Sequence, residues 1–239
     1  MNRHFRSPSI CKVFLSLGIL LPMWGGVTSA QTPPITSSGL NTQVSAPMNL
    51  PSGEVQHNIT GGTRHGGGGN LFHSFGEFGV PTNNIANFLN DSGLPTTNIL
   101  SRVTGGNPSN IFGIIQTEGF DNANLFLMNP AGIVFGPNAS LNVGGAAHFT
   151  TADYLRLADG VRFTALPSNQ DPLLKVASVA AFGFLESTPA PISVEGSTLS
   201  VGDGHTLSLV GGDITIGSGL TAPGGKIAVA SVASPGCLL

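Results

Sequence analysis

Charge is the first thing this chain lacks. Only 9% of its 239 residues are Asp, Glu, Lys or Arg, against about a quarter in an ordinary soluble domain. A disordered chain is charge-rich and apolar-poor, whereas 40% of this one is hydrophobic. A basic excess is also missing. The formal net charge is −3, which argues against a nucleic-acid binder. No apolar run approaches the ~20 residues that span a bilayer. No apolar pattern of 3.6-residue period outlasts about one turn, which removes helical bundles and coiled coils. What is abundant is Gly, with 34 residues, and Pro, with 17. A turn-rich, apolar, weakly charged chain of this kind reads as all-β.

Residues 1–30 have the layout of a secretory signal peptide. Arg3, Arg6 and Lys12 make a basic start, residues 13–21 (VFLSLGILL) an apolar run, and Pro22 a break. Thr28-Ser29-Ala30 then offers a small-residue cleavage site before Gln31. Removal of this segment leaves six Lys and Arg against twelve Asp and Glu, a formal −6. That balance disfavours DNA and acidic lipid as partners. Of the two cysteines, Cys11 leaves with the segment and Cys237 has no partner. In an oxidising compartment such a fold rests on packing and backbone hydrogen bonds alone.

Residues 31–57 read as an extended linker, with Pro-bearing breaks and no period. The run from Gly66 to Gly69 reads as a mobile loop or a tight crossing. Short apolar segments follow, each bounded by Gly, Pro or Asn: residues 70–78 (NLFHSFGEF), 84–90 (NIANFLN), 98–104 (NILSRVT), 110–118 (NIFGIIQTE), 125–128 (LFLM) and 133–135 (IVF). In the first of them Phe72 and His73 break the alternation. Residues 151–158 (TADYLRLA) are short for a helix and stay open between helix and strand. Even spacing of short strands indicates a sandwich, a barrel or a β-helix.

The C-terminal third separates these. Leu207 and Ile227 are 20 residues apart, as are Leu209 and Val229, with Ile214 and Ile216 between them. Period-two alternation nested in a spacing of ~20 residues is what a parallel β-helix produces, each coil stacking its inward side chains on the last. About eight coils of that length would fit after residue 30.

At Asn129-Pro130-Ala131-Gly132-Ile133, preceded by Leu125-Phe126-Leu127-Met128 and followed by Val134-Phe135-Gly136, the chain resembles the amino-terminal secretion domain of two-partner-secretion exoproteins, the filamentous-haemagglutinin type. That family carries Asn-Pro-Asn-Gly-Ile after an apolar strand. Here Ala131 replaces the second Asn. Residues 70–78, 103–113 (VTGGNPSNIFG), 144–153 (GGAAHFTTAD), 181–184 (AFGF) and 202–216 follow in the family's order. The resemblance covers about residues 58–235. Nothing between Gly79 and Ile99 matches the Asn-Pro-Asn-Leu turn that many members carry upstream. The resemblance implies a right-handed parallel β-helix with an N-terminal cap over residues 58–239. It also implies a secretion-targeting role, a cognate outer-membrane transporter whose periplasmic domains capture the unfolded chain, and folding at the cell surface. It further implies an adhesin-type product with a host or cell-surface receptor.

The motif also makes local sense. Pro130 pre-sets its φ for a turn, Asn129 can bond the backbone ahead of it, and Gly132 tolerates positive φ. Two readings stand for this turn: a purely structural corner, and a feature that the transporter reads.

Enzyme chemistry finds little support. His57, His65, His73, His148 and His205 show no metal-ligand spacing, there is no Cys cluster for zinc, and no Gly-x-Ser-x-Gly elbow occurs. Asp203, Asp213 and Lys226 could seat a lyase on a β-helix, but the aspartates sit in Gly turns where local bonding accounts for them. Catalytic, cofactor and metal sites are therefore not expected. The competing function is a small secreted adhesin acting alone, or a fragment of a longer one, since the chain stops at Cys237-Leu238-Leu239 just after a Gly-rich coil, as a truncated end would.

Overall fold

Three strands open with the same kind of triplet, an asparagine followed by two apolar residues: Asn70-Leu71-Phe72, Asn98-Ile99-Leu100 and Asn124-Leu125-Phe126. In the computed structural model, which describes Met1 and residues 34–169, 171–174 and 176–239, these triplets stack in register as parallel neighbours. Residues 1–30, read above as a signal peptide with its Ala30–Gln31 cleavage site, lie outside the described residues apart from Met1.

The chain begins with β1 (Ile35–Gly39), β2 (Thr42–Val44) and β3 (Met48–Asn49). Coils then run through β4 (Val55–Gly61), β5 (Asn70–Phe78), β6 (Asn84–Leu89), β7 (Asn98–Val103), β8 (Ser109–Ile111) and β9 (Ile114–Glu118). They continue with β10 (Asn124–Met128), β11 (Ile133–Phe135), β12 (Ser140–Asn142) and β13 (Ala147–Thr150). An excursion follows, with β14 (Tyr154–Leu157), β15 (Arg162–Thr164) and β16 (Val179–Phe184). Coils resume with β17 (Ile192–Val194), β18 (Thr198–Ser200), β19 (Thr206–Gly211), β20 (Ile214–Ile216), β21 (Gly219–Thr221) and β22 (Lys226–Ser231), before β23 (Gly236–Leu238).

One sheet takes the order β1-β5-β7-β10-β13-β19-β22, a second β20-β17-β11-β8, and a third β12-β9-β6-β4-β2. Successive strands such as β10, β11 and β12 visit the three in turn, and their neighbours along each sheet are parallel. The architecture is all-β, a parallel β-helix. Leu207 pairs with Ile227 and Leu209 with Val229, as their spacing predicts.

The coils are not of constant length. Asn70 and Asn98 are 28 residues apart, Asn98 and Asn124 are 26 apart, and Asn124 and Ala146 are 22 apart. His148 and Ser208, on adjacent rungs, are 60 apart because the excursion intervenes. The first sheet holds the parallel rungs β5, β7, β10, β13, β19 and β22, fewer than a uniform 20-residue coil predicts, since the excursion and an N-terminal cap take up the difference.

That cap lies in the stretch expected to be a linker. β1 pairs antiparallel with β5, and β2 and β3 pair antiparallel with β4, closing edges of the first coil that would otherwise stay unpaired. Met48 and Asn49 are both exposed. Strands this short, with so little burial, leave no alternation in the sequence to read.

Inside the coils, Leu71, Phe75, Ile99, Leu125, Leu127, Phe149, Leu207 and Leu209 belong to one continuous core. The outward side chains of the same sheet are also covered. Phe72, Leu100, Phe126 and Met128 pack with Leu155, Leu157, Phe163 and Leu174 of the excursion. A strand buried on both faces loses its polar alternation, which explains Phe72 and His73. Phe72 faces the excursion, while His73 is fully buried beside Phe75 and Phe88. The excursion sheet has the order β15-β14-β16-β23 and is antiparallel throughout. Residues 154–157, open between helix and strand, are thus a strand.

The glycine run is a tight crossing. A β-carbon added to Gly68 would collide with the Val176 side chain, and one added to Gly69 with Thr97. Gly66 and Gly67, in a single helical turn before the crossing, have φ of 63° and 69°.

Two amide ladders tie the coils together. Asn98 Nδ2 donates to Asn70 Oδ1 (2.9 Å), Asn124 Nδ2 to Asn98 Oδ1 (3.0 Å), and the Ala146 amide to Asn124 Oδ1 (3.0 Å). On the third sheet, Asn87 donates to Asn58 (2.9 Å), Gln116 to Asn87 (3.2 Å) and Asn142 to Gln116 (2.9 Å). Each such bond contributes roughly 1 kcal/mol net, and an orphaned buried amide would cost more.

Candidate export motif and the groove beside it

The chain leaves β10 at Met128 and must turn through a tight corner to start β11 at Ile133. Asn129 makes that corner. Its Oδ1 accepts the Ala131 amide at 3.0 Å, and its own carbonyl accepts the Gly132 amide at 3.1 Å. Gly132 holds φ at 117°, a region that side-chain-bearing residues rarely adopt. Pro130 supplies the fixed φ between them.

Asn129 also reaches beyond its own turn. Its Nδ2 donates to the Asn107 carbonyl at 3.0 Å and to Ser109 Oγ at 2.9 Å, both on the preceding coil. Its amide donates to the Thr150 carbonyl on the following rung at 2.9 Å. The Ile133 amide donates to Pro191 at 3.2 Å. With 1% of its surface exposed, Asn129 has every polar atom used. Ile133 is buried in the coil core. Of the predicted motif, Asn129, Gly132 and Ile133 face inward, and Pro130 and Ala131 are half-buried.

One coil earlier Asn107-Pro108 precedes β8, but Ser109 pairs with Ile133, which sets Pro108 opposite Gly132, and the exposed Asn107 side chain donates to Glu77 Oε1 at 2.8 Å.

Thr104, Pro130 and Ala131 line one side of a groove of about 490 Å³. Leu166, Pro167 and Leu185 from the excursion line the other. Leu166 is 67% exposed and Leu185 61%. The groove is apolar, with carboxylates from Asp153 and Glu186. Asp153 Oδ2 accepts the Leu185 amide at 2.6 Å, so it holds the groove wall in place. No histidine or cysteine lines it. The arrangement can offer apolar contact.

The other residues weighed in the sequence are dispersed. Asp203 abuts Gly224 of the next coil, Asp213 accepts the Ile192 amide through its backbone carbonyl, and Lys226 opens β22 opposite Thr206. Among the described residues no ion pair joins them and no group of His, Cys, Asp and Glu could hold a metal ion. Burial pushes the His73 imidazole down to about 3, with the Arg64 charge adding to the effect. Burial alone takes His148 down to about 4. His148 stacks on Phe126 at 4.2 Å, and its Nδ1 lies 2.7 Å from Ser208 Oγ. Both rings are neutral packing elements. Cys237 is exposed on β23. Among the described residues no helix is long and apolar enough to cross a membrane.

The family model described as the TPS secretion domain matches residues 33–238. Among solved structures, the HMW1 secretion domain from Haemophilus influenzae is similar with a TM-score of 0.56 and 17% identity. The match covers 85% of this chain and 47% of that one, so this chain spans about half the length of that structure. Among curated proteins none matches.

Proposed function

We propose, from the premise that this chain belongs to the TPS secretion domain family, a route by which it leaves the cell. The chain is the secretion-targeting domain of a two-partner-secretion exoprotein, and the family implies an outer-membrane transporter as its partner and a secreted product. Residues 1–30 direct export across the inner membrane, with cleavage between Ala30 and Gln31. The periplasmic domains of the transporter then capture the chain before it folds. The domain folds at the cell surface as part of an adhesin-type exoprotein, which a host or cell-surface receptor recognises.

The observation that carries this reading is the coil stack itself. Along the first sheet each rung pairs with the strand before it and the strand after it, so the stack can build in one direction as chain emerges. Few charges ease passage of the extended chain, and an extended segment can add as a strand to a sheet edge on the transporter. The 129–133 turn serves the folded state as a coil corner, because Asn129 has no polar atom free once folded. Any reading of this motif by the transporter takes place on the unfolded chain.

The test is expression of the full chain with and without its co-encoded outer-membrane transporter, comparing periplasm with medium. Appearance in the medium only with the transporter is the expected outcome. Release without it, or retention of a folded periplasmic protein despite it, overturns the route.

A further inference from the structure

The outer face of the first sheet is built to be covered, and its cover comes later in the chain. Phe72 on β5, Leu100 on β7, and Phe126 and Met128 on β10 point away from the coil interior, and residues of the excursion lie over them, with Leu40 of the cap and His148 of β13 completing the cover. Arg102 shares that face and is 2% exposed. Its Nε donates to Ser74 Oγ at 2.9 Å, but its other partners all belong to the excursion. One guanidinium nitrogen donates to the Thr164 carbonyl (3.0 Å) and to Asp171 Oδ1 (3.0 Å), and the other to Asp171 Oδ2 (2.7 Å). The guanidinium carbon lies 5.2 Å from the centre of the Phe163 ring. Asn70, at the foot of the first amide ladder, donates to the Ala177 carbonyl at 2.8 Å. The excursion sheet takes its last strand from β23, with Phe182 opposite Leu238.

We infer that the excursion is a folding gate: β5, β7 and β10 do not settle until residues 154–184 have docked on them. Without the excursion the four apolar side chains of that face stay in water and Arg102 lacks its carboxylate, so closing those rungs alone gains only the burial of their inner face. A chain that emerges from its amino end would present these side chains uncovered until the excursion follows. The stack would still build in chain order, but β5, β7 and β10 would lock only when the excursion docks. The consequence for export rests on the route proposed above, but the folding order does not.

The experiment is refolding of the full chain from denaturant, with pulsed hydrogen exchange reporting when each strand gains protection. The gate predicts that amides of β5, β7 and β10 become protected in the same kinetic phase as those of β14 and β16. Protection of β5, β7 and β10 in an earlier phase overturns it. Asp171→Asn provides a second reading, by removing the carboxylate charge that faces Arg102. It is expected to slow the folding limb by on the order of tenfold and to leave the unfolding limb nearly unchanged, as for a contact made in the transition state. An effect confined to the unfolding limb overturns the gate. If the variant does not refold, the wild-type labelling order still decides. No transporter is present in this experiment, so its failure and a failure of the export route remain distinct.

Discussion

Asn129 and Ser109 sit on adjacent coils and are joined by a 2.9 Å hydrogen bond from the asparagine Nδ2 to the serine hydroxyl. The same nitrogen holds the Asn107 carbonyl, and the Oδ1 holds the Ala131 amide. Asn129→Ala removes all three bonds inside a closed corner. A loss of about 2–4 kcal/mol is expected from groups left buried without partners, measured as a lowered urea midpoint. An unchanged midpoint combined with lost export would show that the transporter, not the fold, needs this residue.

Ala131→Asn restores the residue that the family motif carries. Position 131 is half-buried at the groove mouth and contributes only its backbone amide to the turn. Stability should change by less than about 0.5 kcal/mol, checked by the same denaturation curve. A large loss would mean that the groove is closed at this point.

Gly183 faces the ring of Tyr154 so closely that an added β-carbon would overlap it. Arg162 lies 4.2 Å over the same ring. Gly183→Ala should displace the tyrosine, disturb the pairing of β14 with β16, and cost about 1–3 kcal/mol, the usual range for overpacking. Near-ultraviolet circular dichroism of the single buried tyrosine reports the displacement.

His73 and His148 make stability fall in acid. Both are held neutral in the fold, down to about 3 and about 4, while an unfolded histidine protonates near ~6.5. Between those values the unfolded chain binds more protons, so stability is full above about pH 6.5 and is lost as pH falls towards 4. Each ring contributes on the order of 2–3 kcal/mol by pH 4. Thermal melts from pH 7 to pH 4.5 should show a falling midpoint. His148→Gln should flatten part of that slope, and an unchanged slope would assign the effect to other groups.

The coil period was legible where one coil follows the next without interruption, as at Leu207 and Ile227. It was hidden where the excursion separates Ala147 from its partner Leu207. The second hydrophobic layer left its trace as the Phe72–His73 break, but a strand covered on both faces has no pattern to say what covers it. The turn at Asn129 was readable because Asn, Pro and Gly each have a local reason to be there. Its ties to Asn107, Ser109 and Thr150 were not, since they depend on which corners stack. The ladder of Asn70, Asn98 and Asn124 was present as a repeated triplet. Unequal spacing of 28 and 26 residues disguised it.

That unequal spacing has an evolutionary consequence. The amide ladder marks where β5, β7 and β10 start, so the number of residues spent between those rungs is free to vary. A corner between those rungs can gain or lose residues and the next asparagine still brings the chain back into phase, while past the inserted sheet the buried Leu207 and Leu209 restore it. Phase is set by a chemical marker rather than by counting, and diversification can proceed at the corners while the stack keeps its register.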